Sequence, residues 1–167
     1  MRRERRPVPH EAQAVIGAVL AAAIVLATAP SVPTLATAAG VPVRCVDNSS
    51  WVTDFPSSVG SAMGVYDTLG HAIYLRTIIC ERLALLASGA ESTNIRRQYD
   101  FASAVFLFAH ETMHSRGIQS ESQADCAAGR DFMRIATSIG TTPGYARVLA
   151  DYLVNAHVPT GCYPDEN

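Results

Sequence analysis

His110-Glu111-Thr112-Met113-His114 is the stretch whose residue types and spacing point to chemistry. Positions i and i+4 of an α-helix lie one turn apart on the same face. Two imidazoles placed in this way can bind one zinc ion at about 2.0–2.1 Å each. Glu111, about 100° further round the helix, would reach a water at the metal rather than the metal itself, and would take its proton as general base. Such a site needs a third protein ligand, and Glu121, seven residues beyond His114, is the first candidate. Asp125 follows four residues later on the same helical face, where it would accept the free ring N–H of a ligand histidine. The expected centre is one zinc ion per chain held by His110, His114 and Glu121, with Glu111 catalytic and Asp125 orienting.

For these groups to converge, residues 110–114 must lie on a helix that turns back sharply. A helix is expected from about 94 to 115, unusually apolar between Phe101 and Ala109, and therefore central and buried. Ser92 or Thr93 would cap it, and Gly117 would stop it. Ser120 can cap a further helix over 121–138, ended by Gly140. Thr142 followed by Pro143 signals a last helix with Ala146, Leu149, Ala150, Leu153 and Val154 on one stripe. Upstream, 63–66 and 71–75 are short β-prone runs separated by Asp67-Thr68-Leu69-Gly70, which reads as a hairpin. Residues 77–88 have the spacing of a buried helix. Residues 39–62 are rich in Pro, Ser, Asn and Gly and read as a loop-rich lead-in with at most a short strand over 41–46.

The motif at 110–114 followed by Glu121-Ser122-Gln123-Ala124-Asp125 resembles the zincin metallopeptidases of the gluzincin type. The stretch from about 101 to 132, with the hairpin over 64–75 ahead of it, is similar to small secreted actinobacterial proteins carrying HExxH. The resemblance implies a zincin-like fold in which HExxH supplies two histidine ligands and the catalytic glutamate. The downstream ExxxD then supplies the third ligand and the orienting aspartate. It also implies that a strand ahead of the metal helix pairs with extended substrate, a role that would fall to 73–75. The short gap after His114 resembles the metzincin layout HExxHxxGxxH, whose third ligand would fall on Ser120. A serine is a poor zinc ligand, which leaves Glu121 to serve. Tyr145, Tyr152 and His157, on or near the last helix, are the candidates for stabilising the oxyanion of the reaction.

The first forty residues differ from the rest. Arg2, Arg3, Arg5 and Arg6 precede an apolar run over 14–30, and Ala36-Thr37-Ala38 offers small residues for cleavage. This is the order of a secretory signal peptide, or of an uncleaved anchor with its basic end inside. The expected divisions are a leader at 1–38, the loop-rich lead-in at 39–62 and the zincin-like domain at 63–167. Beyond residue 38 the chain holds nine Arg against thirteen acidic residues, a net charge of −4. That balance argues against nucleic acid as a partner. The chain has no Lys, which excludes Schiff-base and Walker-type chemistry. Export makes disulfides plausible for Cys45, Cys80, Cys126 and Cys162, with all three pairings open.

The expected fold class is α+β, mainly α, with a small hairpin and an N-terminal signal peptide or anchor helix. The expected function is an exported zinc metallopeptidase, secreted or held at the cell envelope. Its partner would be a peptide or protein substrate, with membrane contact only through an uncleaved leader. Oligomeric state is left open. The rival reading is a non-catalytic zinc-binding or envelope-anchored structural protein on the same fold.

Overall fold

A computed structural model describes residues 32–55, 61–154 and Cys162. Most of the leader, together with His157, lies outside the described residues. The chain is mainly helical, with one three-stranded sheet.

The first described helix, α1 (Val32–Ala39), covers the last residues of the expected leader. It inserts Leu35 and Ala39 into the common core and stops at Gly40, whose φ of +79° suits a left-handed helix end. Strand β1 (Val43–Val46) follows. The lead-in also forms a helix that the sequence did not announce, α2 (Asn48–Asp54). Its cause is local. The Asp47 carboxylate accepts the N–H groups of Ser49 and Ser50 at 2.9 and 3.0 Å and both serine hydroxyls. These donors, the Ser49 hydroxyl first, hold the Asp47 carboxyl well below the usual carboxylate range. The helix buries Trp51, which stacks on Phe55, and Phe55 meets Tyr74 edge-on.

The expected hairpin is present as β2 (Gly64–Asp67) and β3 (Ala72–Arg76), paired antiparallel with Gly64 opposite Leu75. Strand β1 pairs parallel to the other side of β3, Val43 opposite Ile73, so the sheet order is β1-β3-β2. Strand β3 is therefore central and both its edges are taken. This corrects the assignment of 73–75 as a strand open to substrate: among the described residues the edge strands are β1 and β2.

Helix α3 (Thr77–Ala87) leaves β3 directly and buries Ile79, Cys80, Leu83 and Leu86. Cys80 bonds to Cys45, tying α3 to β1. Helix α4 (Ile95–Ser115) is the 21-residue centre of the fold. Its N-cap is Asn94 rather than Ser92 or Thr93, with the Asn94 side chain accepting the Arg97 N–H. The Ser92 hydroxyl accepts the Asn94 N–H instead. Phe101, Val105 and Phe108 face the core, and α4 packs on α5 (Glu121–Ser138), α6 (Pro143–Val154), α3 and the sheet. The Thr142 hydroxyl caps α6 by accepting the Tyr145 N–H. The second disulfide, Cys126–Cys162, ties α5 to the C-terminal segment. The two bonds fit an oxidising, extracellular compartment. Among the described residues, no helix is long and apolar enough to cross a membrane.

Candidate metal centre

The last turns of α4 and the first turn of α5 meet through a tight reversal. Gly117, with φ of +94°, donates to the His114 carbonyl, and the Ile118 N–H reaches back to Met113. A left-handed residue here costs glycine little, and it closes the helix while turning the chain. Arg116 braces the same corner by an ion pair to Asp131 of α5 at 2.8 Å. The reversal brings Glu121 and Asp125 over His110 and His114.

Each imidazole is pinned from behind. His110 Nδ1 lies 2.7 Å from Asp125 Oδ1, and His114 Nδ1 lies 2.7 Å from the Ile118 carbonyl oxygen. A carbonyl oxygen only accepts, so Nδ1 of His114 carries the proton; an ionised Asp125 imposes the same tautomer on His110. In the neutral rings both Nε2 atoms are then bare lone pairs. They face each other at 2.9 Å, with Glu121 Oε2 at 3.0 Å from His110 and 3.5 Å from His114. Three acceptors packed so closely repel one another unless a proton or a metal cation lies between them. Ligand atoms at about 2.0–2.1 Å from a tetrahedral zinc are separated by about 3.3 Å. The observed 2.9, 3.0 and 3.5 Å bracket that value. His110, His114 and Glu121 thus form a group that could hold a metal ion. The imidazoles are mostly sheltered, whereas Glu121 is 78% exposed, so the group opens outward through its carboxylate.

Glu111 stands beside this group rather than in it. It is 5% exposed, and burial pushes its carboxyl up. The backbone N–H of Tyr66 on β2 hydrogen-bonds to it. Gly64 explains how the strand comes so close. A Cβ there would lie 3.0 Å from Leu75 Cδ2 and 3.2 Å from Glu111 Cγ. Glu111 is therefore clamped between the helix that carries it and an edge strand of the sheet.

A cavity of about 520 Å3 lies over these groups, walled by β2, α4 and the reversal after α4. The structure brings Glu111, His110, His114, Glu121 and Asp125 together at it. It does not bring Tyr145 or Tyr152 there. The Tyr145 hydroxyl accepts the Ser92 N–H at 3.0 Å and donates to the Ser92 carbonyl at 3.2 Å, and burial raises its pKa. Tyr152 packs against the core from α6. Neither lines the cavity, which corrects their assignment as oxyanion groups. Tyr66 does line it, and its hydroxyl lies 3.0 Å from His71 Nδ1. The alternation of β2 puts Tyr66 on the same side as Gly64, and that is the signal of it in the sequence.

Comparison with family models, curated proteins and solved structures finds no match to this chain.

Proposed function

We propose that this chain is an exported zinc metallopeptidase with a zincin-like arrangement, hydrolysing peptide bonds at the cavity over α4. The observation that carries the reading is the convergence of two bare Nε2 atoms and one carboxylate oxygen within 3.5 Å, with both Nδ1 atoms already engaged. Two imidazoles and a carboxylate at this spacing suit zinc better than the hard cations, which prefer all-oxygen cages. Three protein ligands leave a fourth position open, the pattern of a catalytic centre.

A zinc ion held by His110, His114 and Glu121 would supply Lewis acidity to the scissile carbonyl and would acidify the attacking water. Glu111 takes the proton of that water as its oxygen bonds to the carbonyl carbon. It then returns the proton to the amide nitrogen as the C–N bond breaks, leaving a carboxylic acid and an amine. Burial raises the Glu111 carboxyl above its ordinary value, the direction that suits a group that must both take and give a proton. Asp125 holds His110 in its tautomer, and the Ile118 carbonyl does the same for His114. A buried carboxylate beside the ligands, clamped by an edge strand, favours catalysis over the rival role of metal binding alone.

The test separates base from ligand. In Glu111→Gln, zinc content stays at the parent value while peptide cleavage falls by about 10²–10⁴-fold. Cleavage that survives the substitution overturns the assignment of Glu111 as base.

A further inference from the structure

Phe106 and Leu107 sit four residues ahead of His110 and Glu111 on α4, about 6 Å along the axis at 1.5 Å per residue. The same helix stripe that carries the metal-binding and basic groups therefore continues as an apolar floor. Both side chains are only half-buried, and both line the cavity. The Phe106 ring centroid lies 6.5 Å from that of His110. Met63 just ahead of β2, Val65 of β2 and Ile118 of the reversal line the cavity with them. An extended peptide advances about 3.3 Å per residue, so a substrate whose scissile carbonyl lies at His110 and His114 lays a side chain one or two residues away over this floor.

Apart from the metal ion, the charged side chains that line the cavity have one sign. Glu111, Glu121 and Asp125 line it, and no Arg does among the described residues. A free carboxylate next to the scissile bond would meet these acids with no guanidinium to bind it.

Resting on the peptidase reading above, we propose that the site selects internal peptide bonds flanked by a large apolar side chain. Phe106 and Leu107 are the specificity-determining residues. An acidic neighbour or a chain-terminal carboxylate is rejected.

The test uses the zinc-loaded full chain and two readouts. The first is kcat/KM on quenched peptides that differ only in the residue beside the bond: Leu, Phe, Ala or Asp. The second is equilibrium binding of Leu, Ala and Asp hydroxamates, which chelate the metal and need no turnover. Leu and Phe peptides should exceed Ala by about tenfold or more, with Asp last. The Leu hydroxamate should bind more tightly than the Ala one by a similar factor. Phe106→Ala and Leu107→Ala should each cut the Leu-over-Ala ratio several-fold with zinc content unchanged. Equal treatment of Leu and Ala in both readouts, or full discrimination in both variants, overturns the proposal. If no peptide is cut but the hydroxamates are still ranked, and the variants lose the ranking, the apolar selection stands and the peptidase reading fails.

Discussion

Gly64→Ala perturbs the contact that holds the proposed base. The added Cβ would lie 3.0 Å from Leu75 Cδ2, 3.2 Å from Glu111 Cγ and 3.4 Å from Glu111 Oε1. Leu75 is fully buried in the central strand and cannot swing away. The strain must be shared between a shift of β2 and a displacement of the Glu111 carboxylate by a few tenths of an ångström. Overpacking of this kind costs about 1–3 kcal/mol. For a chain of this size that corresponds to a fall in Tm of about 4–12 °C, at roughly 4 °C per kcal/mol. The nearest atoms belong to Leu75 and Glu111, not to the metal-binding residues, so zinc content should hold. A misplaced base should lower kcat about 10–100-fold with KM little changed. Thermal unfolding, zinc analysis and steady-state cleavage on the same preparation read the three quantities. A Gly64→Ala protein with parental Tm and parental kcat would refute the close packing of β2 on Glu111.

Other perturbations test other links. Asp125→Asn weakens the tautomer lock on His110 and should lower zinc affinity about 10–100-fold in a chelator competition, with the fold intact by circular dichroism. Leu35→Ala removes a side chain that is 2% exposed and should cost about 2–5 kcal/mol in urea unfolding; a loss under about 0.5 kcal/mol would mean that α1 does not pack on the core. The Arg134 contact first, with Arg116, holds the Asp131 carboxyl below its ordinary value, so its stabilisation is present above about pH 4 and lost as pH falls through the lowered value. The stability difference between parent and Asp131→Asn, under about 1 kcal/mol at this partly exposed site, should be visible at pH 6 and vanish in strong acid.

How much was legible follows from how far apart the interacting residues lie in the chain. His110 and His114 were readable because helical spacing alone puts them on one face. Glu121 and Asp125 were readable because one glycine reversal separates them from the histidines. Helix α2 was hidden because composition made 39–62 look like loop, although Asp47-Asn48-Ser49-Ser50 is a capping sequence of ordinary kind. The parallel pairing of β1 with β3 joins residues about thirty apart, and no local pattern specifies it. It also makes β3 the central strand, which closes 73–75 to a further strand and leaves β1 and β2 as the edges. Tyr145 was misplaced for a similar reason: its hydroxyl is occupied by Ser92, 53 residues away. The disulfide pairing, open among three choices, needed the fold to bring Cys45 to Cys80 and Cys126 to Cys162.

The central claim is that His110, His114 and Glu121 surround a metal ion. Metal analysis of the folded full chain, purified without added chelator, tests it most directly. The account predicts about one zinc per chain, lost in His110→Ala and in His114→Ala while both disulfides persist. A folded parent protein that binds no zinc when dialysed against it, or one whose zinc survives both substitutions, would contradict it.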